Sequence, residues 1–271
     1  MPAAPAAYQA TDGAAYERFI GRWTRRLADA VLEATAPFPA GPLLDVGCGT
    51  GSLAAAMRAR FPDRAVTGVD VARPYLAFAA ARTDCAGCRF ETQDAGDLDL
   101  PDDAFAASLA TIVLNFVADP AAAVAEMRRV TRPGGVVAAA GWDFRGGLVY
   151  QRLLWDTAAV IDPGAFERRA TLFSAPLAKP DGMLELWRAA GLADVARTSV
   201  TIRMEFADFA DYWEPLLGGQ GPVGGYVAAL PPETAERVRA AVRDAYLAGD
   251  EDGPRSLAAT AWVVRGHVPA A

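Results

Sequence analysis

Histidine and lysine are nearly absent from this chain: His267 and Lys179 are the sole examples of each. A general base of the usual kind, an imidazole whose pKa lies near working pH, is therefore missing from the body of the sequence. His267 follows the last predicted strand, a position that is usually solvated. Cysteine is also scarce. Cys48, Cys85 and Cys88 are too few for a disulfide framework, and the Cys85-Ala-Gly-Cys88 pair lacks the second pair or nearby histidine that a zinc site needs. The expectation is no metal, and free thiols in a reducing, cytoplasmic compartment. Basic charge is outnumbered, 26 Lys and Arg against 33 Asp and Glu for a net charge of -7, with no dense basic run to track a phosphate backbone. Nucleic acid is disfavoured as a partner. The charge-free stretch Ala104 to Ala118 is too short to span a bilayer and is broken by Ser108, Thr111 and Asn115. No membrane segment is expected. The opening residues MPAAPAAYQATDG have neither a basic region nor a long apolar run and read as a loose tail, not a secretory signal.

What is present is a chain of 271 residues, 52% hydrophobic, long enough for one large core. Phe19, Trp23, Leu27 and Val31 recur every four residues, which predicts an amphipathic helix from Tyr16 to Thr35. From Leu43 strands and helices alternate. LLDV, AVTGVD, CRFETQD, Ala106 to Phe116 and Gly135 to Ala140 read as strands, and Ser52 to Arg60, Arg73 to Arg82 and Pro120 to Val130 as helices. Near-continuous apolar strands separated by helices predict an α/β, doubly wound, largely parallel sheet covered on both faces, with ligands beyond the carboxyl ends of its strands. Two insertions break the rhythm. Residues 146–179 are helical and rich in large apolar side chains. Residues 207–255 contain the glycine-rich run Gly218 to Tyr226, read as a loop that approaches a ligand or acts as a lid, and a helix from Pro232 to Leu247. One domain spanning 1–271 is expected, with an N-terminal helical lid at about 14–36.

The informative stretch is LLDVGCGTGSLA. Leu43, Leu44 and Val46 end a buried strand; Gly47, Gly49 and Gly51 permit a tight turn; a helix starts at Ser52. Such a turn presents backbone N–H groups at a helix N-terminus, which suits a nucleotide-like ligand. A strand-end carboxylate should then meet the ribose, and Asp70 stands 19 positions after Gly51. Asp94, at a third strand end, is placed for an adenine. The spacing acid-x-Gly-x-Gly-x-Gly differs from the Gly-x-Gly-x-x-Gly of dinucleotide enzymes.

That spacing, with Asp70, Asp94-Ala95, the strand TIVLNF followed by DP, and EMRRVTRPGGVVAAAGW, resembles the class I S-adenosylmethionine-dependent methyltransferases, in the small-molecule branch similar to quinone and menaquinone biosynthesis enzymes. The resemblance implies a Rossmann-like seven-stranded sheet of order 3-2-1-4-5-7-6 with the last strand antiparallel, and S-adenosyl-L-methionine as cofactor. It further implies that Gly47, Cys48 and Gly49 approach the methionine portion, Asp70 holds the ribose, Val71 packs on the adenine, Asp94 and Ala95 read its edge, and Leu114 lines the pocket. Tyr16 and Arg22, on a helix that closes over the cofactor in similar enzymes, are candidates for its carboxylate. The NPPY-like tetrad of amino methyltransferases acting on nucleic acids is absent, since Asn115-Phe116-Val117-Ala118 stands there.

The catalytic residue is left open. Asn115, Trp142, Asp143 and Tyr150 are candidates at the mouth, and Trp142, Trp155, Phe166, Phe173, Tyr212, Trp213 and Tyr226 for enclosing an apolar or aromatic acceptor, while Trp187 has the spacing of a packing residue. Two other readings stand beside methyl transfer: a non-catalytic S-adenosylmethionine-binding partner or sensor, and a dinucleotide-dependent oxidoreductase, which this chain is poorly equipped to be.

Overall fold

The computed structural model describes residues 12–270; Met1 to Thr11, most of the stretch read as a loose tail, lie outside them. Asp12 caps the first helix, its carboxylate accepting from the Ala14 and Ala15 N–H groups at 2.8 and 3.1 Å. The N-terminal segment comprises α1 (Gly13–Tyr16), a π-helical turn (Glu17–Gly21) and α2 (Arg22–Thr35).

The sheet contains β1 (Leu43–Val46), β2 (Val66–Asp70), β3 (Arg89–Thr92), β4 (Phe105–Thr111), β5 (Thr131–Trp142), β6 (Ala193–Phe206) and β7 (Arg255–His267). Its order is β3-β2-β1-β4-β5-β7-β6, with β7 antiparallel to both neighbours, as the resemblance implies. The connecting helices are α3 (Ser52–Arg60), α4 (Arg73–Ala81), α5 (Pro120–Val130) and α8 (Gly182–Ala189). Period-2 alternation splits the core between the two faces. Along β5, Val136, Ala138 and Ala140 join the layer formed with α2 and α3, whereas Val137 and Ala139 join the layer of α5 and α8. Trp187 on α8 is fully buried, and its indole N–H donates to the Val137 carbonyl at 2.9 Å, which makes it a packing residue.

The insertions form helices beside the first layer: α6 (Val149–Ile161) and α7 (Pro163–Ser174) in one, and α9 (Phe209–Trp213), α10 (Gly221–Ala228) and α11 (Pro232–Leu247) in the other. Two expectations need correction. The fourth strand stops at Thr111 instead of running to Phe116, because Ile112 takes a φ of 64°, a left-handed conformation unusual for a β-branched residue that turns the chain across the sheet end. The run Gly218 to Tyr226 is mostly helix, not loop. Pro222 sits in the first turn of α10, where its missing N–H is harmless, and a Cβ at Gly224 would come within 2.9 Å of the Gly219 carbonyl carbon, so glycine there permits close backbone packing.

Trp187→Ala is expected to lower the unfolding free energy by about 3–5 kcal/mol in urea denaturation. Trp187→Phe should cost less but measurably, since it removes the hydrogen bond to the Val137 carbonyl.

Candidate active site

The sheet order reverses between β1 and β4, and the crevice beyond those strand ends is where an open α/β sheet receives ligands. A cavity of about 320 Å³ lies there. Its floor begins with the turn after β1. Gly47 adopts a φ of 67°, and a Cβ on it would come within 2.3 Å of the Val113 side chain, so only glycine lets the loop after β4 lie across the turn. At the end of β2, Asp70 accepts from the Gly49 N–H at 2.9 Å and the Ala72 N–H at 2.8 Å, tying two loops of the wall together. Burial raises the Asp70 pKa, opposed by those backbone hydrogen bonds.

Beneath the turn, Asp45 on β1 is fully buried and one of its carboxylate oxygens has no hydrogen-bond partner. Burial pushes its pKa up to about 8, opposed by a hydrogen bond from the Ala54 backbone and reinforced by the charge of Asp70. Burial thus favours the protonated, uncharged form of Asp45.

The N-terminal segment closes the cavity from above. Its π-helical turn brings Tyr16, Phe19 and Ile20 into the wall, and Glu17 fastens it to the glycine turn. Glu17 accepts from the Thr50 hydroxyl at 2.6 Å and from Arg25 at 3.0 Å.

The structure brings Tyr16, Gly47, Gly49, Asp70, Val71, Asp94 and Ala95 together around this one cavity. Val71 is 64% exposed, leaving an apolar face available in the wall. Cys48 faces an adjoining pocket of about 40 Å³ and is otherwise buried, which pushes its thiol pKa up. Arg22 and Leu114 take other places. The Arg22 guanidinium bonds Asp211 at 2.8 Å and lies 3.9 Å from the Trp23 ring centroid, fastening α2 to α9. Leu114 is buried in the layer of α5. Of the residues considered for the mouth, Trp142 lines the cavity. Tyr150 is set behind Gln151, and Asp143 caps a turn through the Arg145 and Gly146 N–H groups. Trp155, Tyr212, Trp213 and Tyr226 are core, and Phe166 is 54% exposed, so the aromatic enclosure is narrower than expected. His267 pairs in register with Val136 at the start of β5, at the opposite end of the sheet from the cavity.

Wall residues that the sequence did not single out include Tyr75, Gln93, Thr111, Phe144 and Gln151. Gln151 sits one residue past Tyr150 in an insertion with no spacing motif to mark it. Among the described residues no basic side chain lines the cavity, and its charged groups are Asp70 and Asp94. No group of described His, Cys, Asp and Glu side chains is arranged to hold a metal, and no described helix is long and apolar enough to cross a membrane.

A family model described as a methyltransferase domain matches residues 44–139. A demethylmenaquinone methyltransferase of Thermus thermophilus is 40% identical over 116 residues, 42% of this chain and 51% of that protein, so the match spans about half its length. A demethylmenaquinone methyltransferase of Roseiflexus castenholzii is 33% identical over 181 residues, covering 61% of this chain and 74% of that one. The chain belongs to the class I S-adenosylmethionine-dependent methyltransferase family. Solved structures carry the same family fold across nearly the whole chain. A Haemonchus contortus phosphoethanolamine N-methyltransferase in complex with S-adenosylhomocysteine aligns with a TM-score of 0.59 at 17% identity, over 96% of this chain and 58% of that one. The [4+2]-cyclase SpnF aligns with a TM-score of 0.53 at 26% identity, over 98% and 87%.

The buried acid of this methyltransferase fold gives a signed pH dependence. Its folded pKa lies above its unfolded value, so the stability it contributes is complete below about pH 4 and is lost as pH rises toward about 8. Asp45→Asn is expected to flatten the fall in stability between pH 5 and 8, by up to about 1.4 kcal/mol per pH unit, in parallel urea titrations.

Proposed function

We propose that the chain transfers the sulfonium methyl group of S-adenosylmethionine to a small, apolar or aromatic acceptor. The observation that carries this reading is the composition of one cavity: glycine turn and strand-end acids line the half over β1 to β3, and a mostly apolar wall lines the half over β4 and β5. The cradle at Gly47, the exposed Val71 face and the two carboxylates fit a nucleoside bearing an aminoacyl tail. Gly47, Cys48 and Gly49 would hold the methionine portion by backbone, Asp70 the ribose hydroxyls, Val71 the adenine face, and Asp94 with Ala95 the adenine edge; Tyr16 would close over it. The bound cofactor supplies an electrophilic methyl carbon. This chain's own contribution is to hold the acceptor in line and keep water out, through Phe19, Ile20, Phe116 and Phe144. No base is needed where the acceptor is already ionised or carries a free lone pair.

The names of the Thermus and Roseiflexus relatives support an aromatic, quinone-like acceptor, and the S-adenosylhomocysteine complex of the Haemonchus enzyme supports the cofactor. The similarity to a [4+2]-cyclase favours one second reading, in which a substrate is held in an apolar pocket and rearranged without methyl transfer. A wall without a basic side chain among the described residues suits that chemistry equally well. An oxidoreductase reading has no support from the relatives.

Calorimetric titration is expected to show micromolar binding of S-adenosylmethionine and S-adenosylhomocysteine and none of NADH; binding of NADH alone would overturn the reading. Asp70→Ala should weaken cofactor binding by about 1.5–3 kcal/mol. Because burial raises the Asp70 pKa, wild-type affinity should fall on acidification at a pH above the usual carboxylate range, as the carboxylate loses its accepting capacity. Tritiated methyl transfer to a product in cell extract would support the methyltransferase reading, whereas substrate turnover without release of S-adenosylhomocysteine would move the assignment to the cyclase one.

A further inference from the structure

The apolar half of the cavity carries three polar side chains, Thr111, Trp142 and Gln151, at the end of β4, the end of β5 and the start of α6. Each keeps one buried polar atom without a hydrogen-bond partner: Thr111 Oγ1, Trp142 Nε1 and Gln151 Oε1. Trp142 and Gln151 are 1% and 5% exposed. Buried polar groups are normally partnered, and leaving one unmet destabilises the fold. Trp187 has its indole N–H satisfied by a backbone carbonyl, whereas those of Trp155 and Trp262 are unpartnered like that of Trp142 but line no part of this cavity. Gln151 is also fixed in place, since its Nε2 donates to the Tyr150 hydroxyl at 2.9 Å and the Tyr150 carbonyl accepts from the Tyr212 hydroxyl at 2.8 Å. Its amide oxygen is left as the open valence.

We propose that Trp142 and Gln151 are the specificity-determining pair for the methyl acceptor, an inference that rests on the methyltransferase reading of this cavity. The Trp142 indole N–H donates to a carbonyl-type oxygen of the acceptor, and the Gln151 amide oxygen accepts from its hydroxyl. Among the described residues the wall has no cation to receive a carboxylate or phosphate, and Asp70 and Asp94 repel both. The acceptor class is therefore a neutral, largely apolar hydroxy-carbonyl compound. The two orphan atoms, a cost to the free protein, are satisfied in the complex, and an analogue lacking either group leaves one of them unpaired.

The test uses the full chain saturated with S-adenosylhomocysteine, titrated calorimetrically with four probes of similar size: para-hydroxyacetophenone, acetophenone, para-ethylphenol and para-hydroxybenzoate. The hydroxy-ketone is expected to bind about tenfold tighter than acetophenone or para-ethylphenol, and the benzoate not at all. Trp142→Phe should erase the preference over para-ethylphenol and keep that over acetophenone; Gln151→Met should do the reverse. S-adenosylhomocysteine affinity should stay within about twofold in both. Equal binding of the hydroxy-ketone and its two truncated analogues by the wild type, failure of the hydroxy-ketone to bind, tight binding of the benzoate, or unchanged preferences in both variants would each overturn the pair while leaving the cofactor site standing. Failure of the first step, saturation with S-adenosylhomocysteine, would remove the underlying reading and the pair with it.

Discussion

The Asp70 carboxylate, accepting from the Gly49 and Ala72 N–H groups, joins the turn after β1 to the turn after β2. Neither turn has regular structure of its own, and the carboxylate adds to the backbone hydrogen bond from Cys48 to the Val69 carbonyl in holding them together. The geometry depends in turn on Gly47: a side chain there would collide with Val113, and the loop after β4 could not lie across the turn. The same carboxylate is the group expected to receive a ribose. It is already desolvated and already holds two backbone donors, so its remaining accepting capacity points at the ligand in a fixed direction.

The N-terminal segment is a second layer built on that floor. Glu17 reaches the Thr50 hydroxyl, next to the glycines, and Thr24 meets Ser52 at the start of α3 at 2.9 Å. These contacts set the height of Tyr16, Phe19 and Ile20 above the cavity. Arg22, between Glu17 and Thr24, pairs with Asp211 on α9. The guanidinium is stacked on Trp23 and both its terminal nitrogens bond Asp211, which turns it toward α9 and away from the wall.

The parallel core was legible because its signals are local: apolar strands, period-2 alternation along Val136 to Ala140, and glycines where only positive φ fits. The site's first half was legible for the same reason, since a glycine turn and strand-end acids sit at fixed offsets from buried strands. The misread parts are set by tertiary contact. Ile112 is β-branched and reads as strand, yet it turns left-handed because the chain must cross the end of β1. Gly218 to Tyr226 has the composition of a loop, yet much of it becomes helix because Gly224 lets its backbone approach Gly219. The acceptor half was illegible because Thr111, Trp142 and Gln151 come from three elements with no common spacing.

The distribution of charge argues for what sort of chemistry the cavity can support. Its two carboxylates belong to one half, over β2 and β3, where the expected ligand offers hydroxyls and an amine as donors. Among the described residues the other half has neutral groups alone, and water has few partners there once the cavity is filled. No basic side chain among the described residues faces this half to take up a proton. Rate enhancement must then come from alignment and exclusion of water, which an apolar wall supplies, together with the few polar atoms that fix the orientation of what enters. Such a wall turns anions away, and charge does not distinguish one neutral substrate from another. The wall selects by whether a substrate satisfies the unpaired N–H and amide oxygen that the fold has buried there.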